Sequence, residues 1–422
     1  MTGYASRARA AALDACDPLA GFRDAFVITD PRTIYLDGNS LGRLPAATPA
    51  FVEATLRDGW GAGLVRSWET WIDWGQRLGD RLAACALGAR PGEVALADST
   101  SVNLYKLAAA ALDEGPGRRV IIHDAEDFPT NRYLLQGLAE QRRAVIRAVR
   151  SPLDGGVGLD ELREALAEGP ALVVLSLVSY RSGALLDMAT VNKLAGDAGA
   201  RVVWDLSHAV GAVPIELHGS GADLAVGCTY KYLNGGPGAP AFLYVREELQ
   251  PRLRQPLWGW FGQRDQFAMG PTYDPVDRIE RFLVGTPPVL SMAAVEPALA
   301  LIERAGVGRV FDKGKRLGDL VVELADRWLT ALGFRVASPR EPARRGLHVA
   351  LEHRDAARIC RALRATADVI CDYRMPDRLR VGPSPLYTRF VDVWDAMDRL
   401  RELVASGGHE RFAAADELSR VP

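Results

Sequence analysis

Two runs decide the fold: Trp204-Asp205-Leu206-Ser207-His208 and Thr229-Tyr230-Lys231-Tyr232-Leu233-Asn234-Gly235-Gly236-Pro237-Gly238. The apolar residues at 201–206 and 224–228 have the length and composition of buried parallel strands. An acid closes the first of these strands and a lysine follows the second. Because α/β folds bind ligands at the carboxyl edge of an open sheet, we expect Asp205 and Lys231 to lie there together.

Lys231 and Asp205 have the chemistry that an aldehyde cofactor with a pyridine ring requires. A lysine amine forms a Schiff base with an aldehyde where its surroundings favour the neutral amine, and a carboxylate keeps a pyridine nitrogen protonated. The glycines after Lys231 allow a tight turn beside such a cofactor. The alternative is a surface lysine before an ordinary loop, but the acid and His208 nearby favour the cofactor site.

The rest of the chain predicts an α/β protein with a mostly parallel sheet. Short β-rich runs alternate with helical patterns, and these runs are 94–97, 120–122, 145–149, 172–178, 202–206, 224–228 and 241–245. The pattern changes after Pro287-Pro288, where an amphipathic stretch at 307–329 precedes further segments. These are strands near 347–351 and 369–373, a helix at 356–365 and a last helix at 389–404.

This length and pattern predict two domains, since 422 residues are too many for one ordinary core. We expect a large α/β domain at 46–290 and a smaller C-terminal α+β domain at 291–422. The N-terminal segment at 1–45 is expected to join or cap the small domain. The active site should then lie between the domains.

Net charge, cysteine content and apolar runs indicate which kinds of partner and cell compartment to expect. With 51 basic and 53 acidic residues, the formal net charge is -2, which predicts no general attraction to nucleic acid or to an anionic membrane. The five cysteines form no CxxC pair and are interpreted as reduced core thiols of a cytoplasmic protein, and no metal site is predicted. No signal-peptide pattern and no apolar run of about 18 residues is present. A small molecule is the expected partner.

The segment from Asp205 to Gly238, with Tyr35-Leu36-Asp37-Gly38-Asn39-Ser40-Leu41-Gly42, resembles the kynureninase family. The resemblance extends over nearly the whole chain. It implies the fold-type I transferase fold of enzymes dependent on pyridoxal 5'-phosphate, within the class V aminotransferase superfamily. It also implies hydrolysis of L-kynurenine, or of its 3-hydroxy form, to an anthranilate and L-alanine in tryptophan catabolism, by a homodimer with a shared active site.

The same resemblance implies which residues hold the cofactor. Beside Lys231 and Asp205, they are Thr100 and Ser101 at the phosphate, Phe128 on the pyridine face, Asn131, Ser176, His208, Tyr230, and Trp260 and Thr286 from the neighbouring subunit. Tyr230 is also expected to assist proton transfer. The family's motif usually has aspartate where this chain has Asn131. Taken alone, Thr100 and Ser101 also fit a helix cap, Phe128 a core residue, and His208 a structural histidine.

Four residues are expected to bind the substrate. Arg380 corresponds to the family's carboxylate-binding arginine, and a guanidinium can hold a carboxylate through two parallel hydrogen bonds. Trp68 resembles an aryl-pocket residue of the bacterial enzymes, and Phe267 and Ser40 are further candidates. Most of the Trp-rich stretch around Trp68 also fits a packing stripe on one helix face.

Two other functions stay open on the sequence. A cysteine desulfurase or selenocysteine lyase of the same fold would need Cys360 or Cys371 as an exposed thiolate, whereas both lie in apolar patterns. A non-catalytic binding protein on this fold is the other alternative, because fold does not fix function. Sulfide release would identify the first, and the absence of turnover the second.

Overall fold

The computed structural model describes residues 6–115 and 117–413. Its strands are β1 (Ile34–Tyr35), β2 (Val94–Leu96), β3 (Val120–Asp124), β4 (Val145–Val149), β5 (Leu172–Ser176), β6 (Arg201–Asp205), β7 (Leu224–Gly227), β8 (Phe242–Val245), β9 (Arg335–Val336), β10 (Val349–Glu352), β11 (Val369–Ile370), β12 (Asp372–Arg374) and β13 (Arg378–Val381). Its α-helices are α1 (Arg7–Ala15), α2 (Thr48–Ala54), α3 (Trp68–Trp71), α4 (Trp74–Leu82), α5 (Thr100–Glu114), α6 (Pro129–Arg142), α7 (Leu159–Leu166), α8 (Met188–Asp197), α9 (Val289–Ala305), α10 (Val307–Leu324), α11 (Ala356–Thr366) and α12 (Phe390–Ala405).

The large sheet has the strand order β2-β8-β7-β6-β5-β3-β4. The pairs among β4, β3, β5, β6 and β7 are parallel, and β8 runs antiparallel to both β7 and β2. The predicted, mostly parallel α/β sheet is therefore confirmed, with strand ends shifted by one or two residues. The register places Ser176 opposite Asp205 at the carboxyl ends of β5 and β6.

Helices cover both faces of this sheet, so its central strands are apolar on both sides. In β6, Val203 belongs to one apolar cluster with Leu104 and Leu107 of α5. The next residue, Trp204, belongs to the cluster on the other face with Val191 of α8. Alternate side chains of a strand point to opposite faces, and continuous burial follows when both faces are covered.

The C-terminal part contains an antiparallel sheet of order β12-β13-β10-β9. Its core includes residues of α10, α11 and α12 together with Ala10 and Leu13 of α1, and β1 pairs in parallel with β11. Helix α9 spans the predicted domain limit at 290, since it begins at Val289, and it packs in the core of the large sheet. The limits of the domains stay a prediction.

Three details of the sequence interpretation are corrected. The segment 369–373 forms two strands in different sheets, β11 and β12, instead of one. The Trp-rich stretch is not one helix, because α3 ends at Trp71 and α4 begins at Trp74. Cys16 is exposed and is therefore not a core thiol. No helix in the described part of the chain is long and apolar enough to span a membrane.

Candidate active site

Lys231 lies just beyond the carboxyl end of β7, with its amine directed at a histidine. Its Nζ is 2.9 Å from Nε2 of His208. Burial lowers the pKa of Lys231, and burial followed by the charge of Lys231 holds the pKa of His208 well below its usual value. The imidazole is therefore neutral at physiological pH, and the amine is easier to deprotonate than an exposed lysine.

The N-terminal motif at 35–42 lies against the loop that carries Lys231. The N–H of Gly42 donates to the carbonyl oxygen of Tyr230 at 2.8 Å. A Cβ atom on Gly42 would lie 2.4 Å from the carbonyl oxygen of Lys231 and 2.4 Å from Oδ1 of Asn234. This close approach explains why glycine stands at position 42 and places the motif at 35–42 beside the site.

Asp205 ends β6 with both carboxylate oxygens hydrogen-bonded. Oδ1 accepts from the backbone N–H of Ser207 at 2.9 Å, and Oδ2 accepts from Nδ2 of Asn131 at 2.9 Å. The side chain is almost wholly buried. Two donors from different segments fix the carboxylate orientation, as the partner of a ring nitrogen requires.

Asp127 is a second buried carboxyl group at this edge, and the sequence interpretation missed it. Its Oδ1 accepts from Ser176 Oγ and from the backbone N–H of Phe128, each at 2.7 Å, and its Oδ2 accepts from Nδ2 of Asn131 at 3.1 Å. Burial and then the nearby Asp205 raise the pKa of Asp127 to about 7. Its place directly before the Phe128-Pro129 pair was the signal in the sequence that could have identified it.

The predicted phosphate and ring contacts lie at two helix N-termini. Ser99 is the N-cap of α5, because its side chain accepts from the N–H of Val102 at 3.3 Å. The hydroxyls of Thr100 and Ser101 are thus not needed for the cap, and the first amides of a helix have no acceptor inside it. Phe128 precedes α6, is 44% exposed and is therefore not a core residue.

Arg380 is buried in β13 and belongs to a charged cluster. Its Nε donates to Oδ1 of Asp372 at 2.7 Å, its Nη2 donates to Oδ2 of the same carboxylate and to Ser40 Oγ, and its Nη1 donates to the carbonyl oxygen of Tyr180. Arg374 also pairs with Asp372, at 2.9 Å. The guanidinium fork that we expected to hold a substrate carboxylate thus holds Asp372, which no sequence signal had indicated.

Trp68 and Thr286 lie together in another place, a surface groove of about 460 Å³. The groove is mostly apolar, and its lining includes Trp60, Val65 and Leu290 but not Lys231. In a single chain these two residues are therefore separate from the lysine. Their assignment to cofactor and substrate stays a proposal that requires a second copy of the chain.

Trp260 and Phe267 form a further exposed pair. Their ring centroids are 6.2 Å apart, and the two side chains are 41% and 69% exposed. Trp260 stands on a short 3-10 turn at Trp260–Gly262. Like the groove residues, Trp260 and Phe267 do not contact Lys231 within the described part of a single chain.

These groups fit pyridoxal 5'-phosphate. Lys231 offers an amine of lowered pKa, Asp205 an oriented carboxylate, and the start of α5 two hydroxyls near free backbone amides. Nδ1 of His208 is buried and has no hydrogen-bond partner among residues 6–115 and 117–413. An unpartnered polar atom at this place is typical of a site that a ligand completes.

Comparisons with known proteins agree on one family. The model of the kynureninase C-terminal domain matches residues 310–400. Kynureninase of Pseudomonas fluorescens is 44% identical over 401 residues, which cover 93% of this chain and 94% of that protein. Kynureninase of Burkholderia pseudomallei (strain K96243) is 44% identical over 407 residues, with 94% and 95% covered.

Solved structures show the same fold at lower identity. The apo structure of a cysteine desulfurase from Thermococcus onnurineus NA1 has a TM-score of 0.80 at 19% identity and covers 92% of this chain and 98% of that chain. A cysteine desulfurase from Escherichia coli has a TM-score of 0.74 at 18% identity, with 91% and 98% covered. At these identities the likeness concerns the fold alone, which is that of fold-type I enzymes dependent on pyridoxal phosphate.

Proposed function

The chain belongs to the kynureninase family, and we propose that it hydrolyses the Cβ–Cγ bond of L-kynurenine to give anthranilate and L-alanine. The observation that carries this function is the pairing of a partly buried lysine amine with a neutral histidine, 2.9 Å apart, at the sheet edge that also holds Asp205. Pyridoxal 5'-phosphate is the cofactor, and it supplies an electron sink for the substrate's α-carbon.

The residues at the sheet edge divide the proton transfers among them. The free Lys231 amine would take the proton from the substrate's α-carbon. Burial raises the pKa of the Tyr230 hydroxyl, so that Tyr230 keeps its proton at neutral pH and can donate it. With the cofactor bound, the Asp205 carboxylate would hold the proton on the ring nitrogen, and Thr100 and Ser101 would hold the phosphate.

Arg380 is proposed to bind the α-carboxylate of the substrate through the donor that its protein contacts leave over. A guanidinium has five N–H donors. Nε and Nη2 contact Asp372 and Ser40, and one N–H of Nη1 contacts Tyr180. The remaining N–H of Nη1 is available, and a two-bond clamp would require the substrate to displace Asp372.

A homodimer is proposed because the groove with Trp68 and Thr286 is apolar and open. Trp60 is 59% exposed and Val65 is 76% exposed beside it. A soluble monomer rarely exposes such a patch, and a second copy would bury it and could bring Thr286 to the partner's Lys231. Mixing the inactive variants Lys231→Ala and Thr286→Ala should restore part of the activity, since one of the two sites in a hybrid dimer is then intact; no restoration would contradict a shared site.

The activity is tested by the fluorescence of anthranilate. The purified protein should be yellow and should release anthranilate from L-kynurenine, and Lys231→Ala should lose both properties. Lys193→Ala is the matched control, because Lys193 is an exposed lysine on α8 whose side chain pairs with Asp197 on the same helix. A colourless protein that does not take up pyridoxal phosphate would refute the function. The same assay with 3-hydroxy-L-kynurenine measures which substrate is preferred.

The desulfurase alternative requires an exposed thiolate at Cys360 or Cys371, and both side chains are buried. Cys360 and Cys371 are 3% and 2% exposed. Hydrogen bonding of the Cys371 thiol with the Cys360 side chain, and then burial, raise the pKa of Cys371, which disfavours its thiolate. Sulfide release from L-cysteine would nevertheless identify that activity directly. Absence of turnover by a protein that retains the cofactor would favour the binding-protein alternative. Cytoplasmic location stays a prediction for cell fractionation.

A further inference from the structure

Asp127 and Asp205 are two buried carboxyl groups joined by one amide. Nδ2 of Asn131 donates to Oδ2 of Asp127 at 3.1 Å and to Oδ2 of Asp205 at 2.9 Å. Carboxylates only accept hydrogen bonds when ionised, so the NH₂ side of the amide has to face both of them. The side chain of Asn131 is therefore a fixed bridge between the two acids.

The donors to this pair of acids are all neutral. Asp127 accepts from the Ser176 hydroxyl, the Phe128 backbone N–H and the Asn131 amide, and Asp205 accepts from the Ser207 backbone N–H and the same amide. Two buried negative charges held together in this way repel each other, and within the described part of the chain neither acid forms an ion pair. A positive group placed against Asp205 would relieve both charges.

We propose that Asp127 is a positioning residue for the cofactor: through the Asn131 bridge it adds a second negative charge to Asp205 and thereby strengthens the hold on the protonated ring nitrogen. The proposal rests on the proposed function only in that pyridoxal phosphate is the cofactor. Asp127 itself lies behind Asn131 and acts through it. The negative charge near the ring nitrogen therefore has two sources in this chain.

The geometry also explains why the amide stands at position 131. An aspartate there would place three carboxyl groups side by side, and no donor would remain to join them. With the acid at 127, directly before the N-cap residue Phe128, the amide at 131 is on the first turn of α6 and reaches both acids. An acid at position 127 therefore requires an amide, and not a second acid, at position 131.

The experiment measures cofactor binding without any substrate, so its outcome is independent of the kynurenine reaction. The dissociation constant of pyridoxal phosphate is measured at pH 8 by quenching of tryptophan fluorescence in the cofactor-free, folded protein. Asp127→Asn is expected to weaken binding about tenfold, the effect of one pKa unit on the ring nitrogen. Asp124→Asn is the matched control, because Asp124 ends β3 nearby but contacts Ser151 instead of the bridge.

The double variant Asp127→Asn/Asn131→Asp separates a charge effect from a structural one. The double variant has the amide at position 127 and the carboxylate at position 131, so the number of negative charges beside Asp205 is the same as in the unchanged protein. Its dissociation constant for the cofactor is therefore expected to lie within about threefold of the unchanged value. If Asp127 serves only to order the loop, the double variant should bind no better than the single one, and the proposal is then wrong. Unchanged binding by Asp127→Asn would overturn it as well. If Asp127→Asn does not fold, Asp127→Ser takes its place, because it removes the charge and keeps a hydroxyl that can accept a hydrogen bond; the same weakening is expected, and unchanged binding would overturn the proposal.

Discussion

Asp127→Asn should make the cofactor-free protein less stable than the unchanged protein at pH 5 but more stable at pH 8. Burial and Asp205 raise the pKa of Asp127 from 3.8 to about 7. A folded-state pKa above the unfolded one means that the folded state holds the proton more tightly. The stability from that proton is complete below pH 4 and is lost as the pH rises through 7.

The magnitude follows from the two pKa values. Each pH unit between them changes the free energy of unfolding by about 1.4 kcal/mol, so that raising the pH from 5 to 8 removes about 3 kcal/mol through Asp127 alone. The Asn side chain does not titrate but has a single acceptor oxygen for three donors, which costs about 1 kcal/mol. The variant should therefore be less stable than the unchanged protein at pH 5 and more stable, by about 2 kcal/mol, at pH 8.

The assay is urea unfolding of both cofactor-free proteins at pH 5 and pH 8, followed by tryptophan fluorescence. Other titrating groups affect both proteins alike, and the difference between them isolates Asp127. Asp160→Asn, which changes an exposed carboxyl group on α7, serves as control. A difference in stability that does not change between the two pH values would refute the reasoning, because Asp127 would then hold no proton near neutrality.

Three further changes test other parts of the structure. Gly42→Ala should reduce cofactor incorporation, since its Cβ would lie 2.4 Å from the carbonyl oxygen of Lys231, whereas Gly21→Ala, with nothing within 4 Å, should not; absorbance of the purified proteins compares them. Arg380→Ala should lower the free energy of unfolding by about 3 kcal/mol, because the buried carboxylate of Asp372 loses the guanidinium that contacts both its oxygens and keeps Arg374 as its remaining cation; a melting temperature close to the unchanged one would contradict that. Cys371→Ala should keep anthranilate release within about threefold, as expected of a buried thiol that takes no part in the reaction; loss of activity in a folded variant would reopen the desulfurase alternative.

Much of the fold could be predicted because its signals are local. The apolar runs ending at Asp205 and before Lys231 stand out in the chain, and strands of this length and composition are buried wherever they occur. The parallel order follows from the alternation with helices. The division of 369–373 into two strands could not be predicted. Only Cys371 separates β11 from β12, and a one-residue break does not interrupt the alternation of side chains enough to be seen in the sequence.

For the same reason, the sequence predicted some candidate site residues and missed their partners. Lys231, Asp205 and Arg380 stand in distinctive local sequences, whereas the partners that set their charge come from other strands and helices. Asp372 lies eight residues from Arg380 along the chain and bonds to it only because β12 and β13 pair antiparallel. The bridge from Asn131 to Asp205 spans 74 residues.

The sequence by itself determined the fold class, the family and the cofactor, and it predicted the lysine that would receive the cofactor, because each depends on side-chain type and short-range pattern. Only the tertiary structure decided which groups are buried together, and burial sets the strength of every charge in the site. Asn131 shows the difference: in the sequence it was the loss of an acid, and in the folded chain it is the amide that joins Asp205 to a second acid at Asp127.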